Sequence, residues 1–229
     1  MDIIKKLFTY LILPLAIIAL VYAIIVGVRK PVAFNKEFEA RKEVAVQRLK
    51  DIRTLQVAYK SVNGKFTASF DTLTQFYKDG KMEIVMQIGS NDDSVAVANT
   101  EKVRKANKKI TPAEMLKLYQ QGQQLVFSIK SNVPVKDTLF NDRPDFVVDS
   151  LRYIPFSGGE PVEMEAITRQ VSGVLVPLFE ARMPFKKICK GMDEQLRINM
   201  DAERRAGGQY EGLQVGSITT PNNNAGNWE

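Results

Sequence analysis

Twenty-two consecutive residues without a charge, Leu7 to Val28, constrain this chain more than any other feature. At about 1.5 Å of rise per residue, a helical run of this length crosses the roughly 30 Å hydrocarbon core of a bilayer once. Lys5 and Lys6 precede the run and Arg29 and Lys30 follow it. Tyr10 and Tyr22 sit near its ends, where amphipathic rings favour the membrane interface. Pro14 lies inside it and predicts a slight kink. The run is longer than the core of a cleaved signal peptide, and Gly27-Val28-Arg29-Lys30-Pro31 offers no small-residue cleavage site. The expectation is an uncleaved transmembrane anchor over residues 1–30, spanning from Leu7 through Pro14 and Tyr22 to Val28, with the lipid bilayer as its first partner.

The flanking charges do not settle orientation. Lys5 and Lys6 stand before the span against Arg29, Lys30, Lys36, Arg41 and Lys42 after it, a balance that by itself places the following domain in the cytoplasm. Against that, a short tail with a lysine pair is common among anchors that export the domain they carry. The overall charge is less basic than it looks. Of 32 Lys and Arg against 26 Asp and Glu, four cations and Asp2 fall within residues 1–30, leaving 28 against 25 beyond them, too small a surplus to imply nucleic-acid binding.

Beyond the span, residues 34–62 carry apolar positions at spacings of three to five with no Gly or Pro: Val44, Leu49, Ile52, Leu55, Tyr59 and Val62. This is an amphipathic helix with one apolar stripe. Its stripe, centred on Leu49, Ile52, Leu55 and Tyr59, has two candidate partners, a sheet of its own domain or a second helix in a coiled coil; fewer than three clean heptads favour the sheet. Asn63-Gly64 closes the helix. Phe66, Phe70, Leu73, Phe76 and Tyr77 then predict a turn and short helix, and residues 83–88 a strand. Residues 89–109 read as an exposed linker. In it, Asp92-Asp93 lacks the spacing of a Ca²⁺ loop and suits a solvated turn, while Lys102, Arg104, Lys105, Lys108 and Lys109 form a basic cluster that suits either a solvated face or anionic headgroups.

Thr111-Pro112-Ala113-Glu114 is a capping box with proline at the first helical position, opening a helix that Gly122 stops. Alternating apolar residues then predict strands at 125–130, 151–154, 162–167 and 174–179. Six prolines through this part, Pro177 among them, predict that the strands are short or lie at edges. Met192, Leu196 and Met200 mark the apolar face of a late helix that Gly207-Gly208 ends. Trp228, in an Asn-rich stretch, is either folded back on the domain or left as a recognition handle. The expected organisation is an anchor (1–30), a long helix with a small α+β unit and linker (31–110), and a strand-rich part with a C-terminal helix and polar tail (111–229).

Chemistry is legible mainly by exclusion. With no histidine in the chain, histidine-dependent triads and histidine zinc sites are excluded, and the lone Cys189 rules out cysteine metal sites and internal disulfides. Its lysine-rich setting could lower the thiol pKa; the alternative is a small buried hydrophobe. Glu163 and Glu165 alternate on a strand and mark its solvent face. The expectation is a non-enzymatic protein without cofactor or metal.

Residues 48–67, RLKDIRTLQVAYKSVNGKFT, with Leu73 following, resemble the exposed half of the long helix and first turn of type IV pilins and type II secretion pseudopilins. The family's leader cleavage site and glutamate have no counterpart here. The resemblance implies an apolar helix continuing into an amphipathic one packed on a small antiparallel sheet, an α+β protein in the bacterial inner membrane with its soluble domain in the periplasm. It also implies partnership with other envelope proteins, as in secretion or pilus-like machinery. Leu151-Arg152-Tyr153-Ile154-Pro155-Phe156-Ser157 and the Asn222-to-Trp228 segment are similar to uncharacterised single-pass envelope proteins of Bacteroidota. A membrane-tethered extracytoplasmic binding module acting alone, and a cytoplasmic adaptor at the membrane surface, are the alternatives.

Overall fold

The computed structural model describes residues 8–229, so Leu7, the first residue of the expected span, lies outside the described part. A π-helical turn, Phe8–Ile12, runs into α1, Leu13–Asn63, a helix of 51 residues. Pro14 stands just after the π turn, where its missing N–H interrupts the regular ladder. Pro31 lies inside α1 and withdraws the donor that would reach the Gly27 carbonyl. That gap falls beside Arg29 and Lys30, where water can satisfy the carbonyl. The apolar stretch of α1 is long enough to cross a membrane, and among its described residues none is buried against the rest of the chain; Leu15, Ile18 and Tyr22 are all exposed.

From Phe34 onward α1 changes character. Phe34, Phe38, Ala45, Leu49, Ile52, Leu55 and Ala58 are buried, with Ala45, Leu49, Ile52 and Leu55 completely so. The expected stripe through Leu49, Ile52 and Leu55 is therefore a packing face of the chain itself. Its ends differ from the sequence reading: Val44 and Val62 are exposed, and Ala45 and Ala58 take their places. Tyr59 is half-buried, edge-on to Phe76 at 5.3 Å. Gly64, at φ +73°, ends the helix as expected, its N–H donating to the Lys60 carbonyl.

The protein is α+β. After α1 come α2 (Phe70–Asp79), β1 (Lys81–Ile88), α3 (Ser94–Ala106), α4 (Pro112–Gln120), β2 (Phe127–Pro134), β3 (Glu163–Val171), β4 (Val174–Pro184), α5 (Phe185–Ile188), α6 (Glu194–Ala206) and β5 (Gly212–Gly216). These form two compact units that do not follow chain order. One contains α1 to Gln56, Phe66–Phe70 and Asp149–Glu229; the other contains Val57–Lys65 and Asp71–Val148. Residues 110 and 111, between which a boundary was expected, fall within the second unit, because β2 pairs antiparallel with β1 along its whole length, from Lys81 opposite Pro134 to Ile88 opposite Phe127.

In that second unit Met115, Leu125 and Phe127 form a small core with Ile88, Val103 and Ile129 around it. The expected linker at 89–109 is instead largely α3. Asp93 caps it, accepting from the N–H groups of Val95 (3.0 Å) and Ala96 (3.1 Å), and its buried Thr100 hydroxyl accepts from Val126 N (2.7 Å). The basic residues lie exposed on α3 and just beyond it, and Lys109 falls outside the helix. The Thr111–Glu114 capping box is present in both directions.

The first unit is built on an antiparallel sheet of order β3-β4-β5. Ser172 (φ +50°) and Gly173 (φ +84°) make the two-residue turn between β3 and β4, both residues left-handed as a tight hairpin of that hand requires. Phe179 on β4 is fully buried and meets Phe66 at 4.8 Å, while Phe38 of α1 sits edge-on to Phe185 at 5.1 Å. β4 is 11 residues long and tolerates Pro177 because β5 pairs only with Glu180 to Pro184, leaving that side of the strand open at the proline. Residues 151–154 are not a strand: Val148–Arg152 is a 3₁₀ turn, and Tyr153 makes only an isolated bridge to Pro161.

Three arginines of α1 tie loops to the helix. Arg41 donates to the carbonyls of Ile188 (3.0 Å) and Lys190 (2.9 Å), Arg48 to that of Tyr153 (2.6 Å), and Arg53 to that of Asn224 (3.3 Å). The Asn-rich segment lies back on the sheet, with Asn227 exchanging hydrogen bonds with Gln214 and reaching the Gly212 carbonyl. Trp228 is accordingly folded back and half-buried.

Candidate functional site

A cleft of about 770 Å³ lies in the first unit, between α6, the start of β3, the end of β4 and the loop before β5. Its titratable side chains are seven: Glu163, Lys186, Arg197, Asp201, Arg205, Tyr210 and Glu211. Asp193 caps α6 by accepting from Leu196 N at 3.1 Å, which sets the helix phase. In that phase Arg197 and Asp201, four residues apart, are the most buried positions of α6, while Met192, Leu196 and Met200 are only half-buried. The buried face of α6 is thus rotated away from the methionines that mark it in the sequence. An Arg-x-x-x-Asp pair resembles an ordinary surface ion pair, and nothing in its spacing marks it as buried.

Arg197 pairs with Asp201 and, at 2.5 Å, with Glu194. Burial raises the Asp201 carboxyl above its ordinary value although Arg197 pulls it down, and the bond from Arg197 holds Glu194 below the usual carboxylate range. Arg205 grips Glu211 with two bonds, 2.6 and 2.7 Å. Glu163 and Glu165 are not simply solvated: Arg182 lies 2.9 Å from Glu165, 3.2 Å from Glu180 and 3.7 Å from Glu163, and Lys187 lies 3.4 Å from Glu163. Burial, with Glu163 adding to it, raises the Tyr210 phenol well above its ordinary range, so it remains an O–H group. The ionised groups at this site neutralise one another, an arrangement suited to binding polar groups. Among the described residues no cluster of three or more His, Cys, Asp or Glu is gathered to hold a metal ion.

Cys189 follows α5 and is 3% exposed. Burial pushes its thiol up to about 11, against a smaller opposing effect of Arg41. Its lysine neighbours in sequence do not create a reactive thiolate. In the folded protein Cys189 should therefore resist a maleimide at pH 7, and its modification rate should rise in step with unfolding by denaturant. Rapid labelling of the native protein would contradict this placement.

The residues singled out from sequence fall in different places. Pro14, Tyr22 and Val28 lie on the exposed apolar stretch, Leu49, Ile52 and Leu55 in the core of the first unit, and Tyr59 in the second unit; none lines the cleft. No family model, curated protein or solved structure matches this chain.

Proposed function

We propose that the protein is a non-enzymatic, single-pass membrane-anchored structural or accessory subunit of a cell-envelope complex, with its soluble units on the periplasmic face of the inner membrane. The observation that carries this reading is the continuity of α1. One helix presents an apolar stretch whose described residues are exposed and then, without a break, a buried packing face, so membrane attachment and the core of the first unit share one rod. Such a rod fixes the position of the domain above the bilayer. The mutually paired charges of the cleft and the buried thiol support a binding role over a catalytic one, and the packing of a long helix on a small antiparallel sheet supports kinship with pilin-like envelope subunits.

The test is crosslinking in native membranes followed by purification in detergent. A defined partner recovered with the full-length protein is the expected result. A protein that always runs as an isolated monomer with no crosslinked companion would sink the subunit reading. The cleft also favours a second reading, a tethered binding module acting alone; ligand binding without a stable envelope partner would select it.

A further inference from the structure

The folded part of the first unit begins close to the end of the apolar run. Val28 ends that run, and Phe34, further along α1, is 7% exposed, whereas Val32 just before it is 62% exposed. At about 1.5 Å of rise per residue, the packed unit therefore starts about 9 Å beyond Val28. The headgroup layer adds roughly 5–8 Å to each side of the hydrocarbon core, so Phe34 stands at its outer boundary when α1 spans the bilayer. Contacts define the underside of the unit at this level. Phe34 stacks on Phe38 with ring centres 6.2 Å apart, Phe38 meets Phe185 of α5 at 5.1 Å, and Arg41 holds the carbonyls of Ile188 and Lys190. α5 and the residues just after it thus lie alongside the first turns of α1 beyond the membrane.

This underside carries cations without counterparts. Lys36 and Lys186 are exposed and enter no ion pair among the described residues, and Lys190, also exposed, spends its amine on the neutral Ser157 carbonyl at 2.9 Å. The carboxylates around them are already engaged: Glu37 by Arg41, Glu39 by Lys42, Glu163 by Lys187, and Glu194 by Arg197. Asp193 caps α6, and Glu43, left without an ion pair among the described residues, stands about 22 Å beyond Val28. Lys36 lies about 12 Å beyond Val28, on a helix whose side chains lean back toward its N-terminus and so toward the bilayer. α5 lies at the level of Phe38, about 15 Å beyond Val28. The negative potential of an anionic membrane surface extends about one Debye length, roughly 8 Å, past the headgroups, and both positions fall within its reach. Arg29 and Lys30 continue the same positive face down to the hydrocarbon. We infer that the underside of the first unit docks, through Lys36, Lys186 and Lys190, on anionic lipid headgroups of the bilayer that holds α1. Charge complementarity and continuity with the anchor select lipid over an acidic protein. The inference rests on the membrane-anchored reading and holds on either side of the membrane.

Full-length Lys186→Cys protein, labelled at that position with bimane, is reconstituted in nanodiscs that contain a headgroup-nitroxide phosphatidylcholine as quencher; the buried Cys189 stays unlabelled. Quenching should be about twofold stronger in discs rich in phosphatidylglycerol than in phosphatidylcholine alone. Salt at about 1 M, where the Debye length is about 3 Å, should remove the difference. Lys36→Glu should remove most of it as well, whereas Lys50→Glu, the same change at an exposed position of α1 about 33 Å beyond Val28, should not. Both sites are exposed, so neither change should move the unfolding midpoint. A label that stays unquenched in phosphatidylglycerol would overturn the inference, as would quenching indifferent to lipid charge and salt. An unquenched label together with a crosslinked partner that Lys36→Glu releases would assign the face to an acidic protein instead. Protein that leaves the nanodiscs would remove the anchor itself, whereas retained protein with an unquenched label removes the docking face alone.

Discussion

Phe179→Ala is expected to destabilise the first unit by about 3–5 kcal/mol, the range for a large aromatic deleted from a close-packed core. Phe179 has no exposed surface, sits on the central strand β4 and packs against Phe66, which enters the unit from the turn after α1. Trp228, the single tryptophan of the chain, belongs to the same unit and reports its unfolding by fluorescence. Leu175→Ala, four residues earlier on the same strand but 70% exposed, serves as the control and should change stability by less than about 0.5 kcal/mol. Equal effects of the two substitutions would mean that β4 is not packed as described.

Arg197→Leu is expected to cost about 3 kcal/mol at neutral pH, the low end of the range for removing one partner of a buried ion pair. The effect should depend on pH with a definite sign. Burial holds the folded-state carboxyl of Asp201 above its ordinary value, so between the unfolded and folded pKa the native state binds more protons and stability falls as pH rises. Removing Arg197 takes away the main influence pulling that carboxyl down and extends the window upward. The deficit of the variant should be smallest at the acid end, where Asp201 is protonated, and should grow to its full size above the raised pKa. Urea unfolding followed by Trp228 fluorescence at several pH values measures this, and a deficit independent of pH would show that Asp201 is not the group left uncompensated.

The parts of this fold that local chemistry dictates are legible in the sequence. Thr111-Pro112-Ala113-Glu114 names a helix start because each residue satisfies or removes an orphan N–H, and Asn63-Gly64 names a helix end because glycine enters the left-handed region freely. Leu49, Ile52 and Leu55 carry a periodicity that only a buried helix face explains. The features that stay hidden depend on partners distant in the chain. α3 resembles a linker because its core-facing residues are alanine and threonine, and Thr100 becomes a core residue only once Val126 arrives to use its hydroxyl. Val44 stands out over Ala45 in the sequence because a bulkier side chain looks more buried, whereas it is Ala45 that is fully buried and Val44 that is exposed. The cleft is invisible for the same reason: Arg197 and Asp201 form a helical ion pair whose burial depends on β3, β4 and the loop through Tyr210 closing over it.

The proposed function requires α1 to be a membrane anchor that presents its folded units outside the inner membrane, and one labelling experiment addresses this most directly. Lys105→Cys places a thiol on the exposed face of α3, and the buried Cys189 can remain because it should be silent in the folded protein. Cells expressing this variant are treated with a membrane-impermeant maleimide before and after lysis, and the membrane fraction is washed with alkaline carbonate. The predicted result is a carbonate-resistant membrane protein that is labelled in intact cells. Labelling only after lysis would place the units in the cytoplasm, and release by carbonate would contradict the anchor itself.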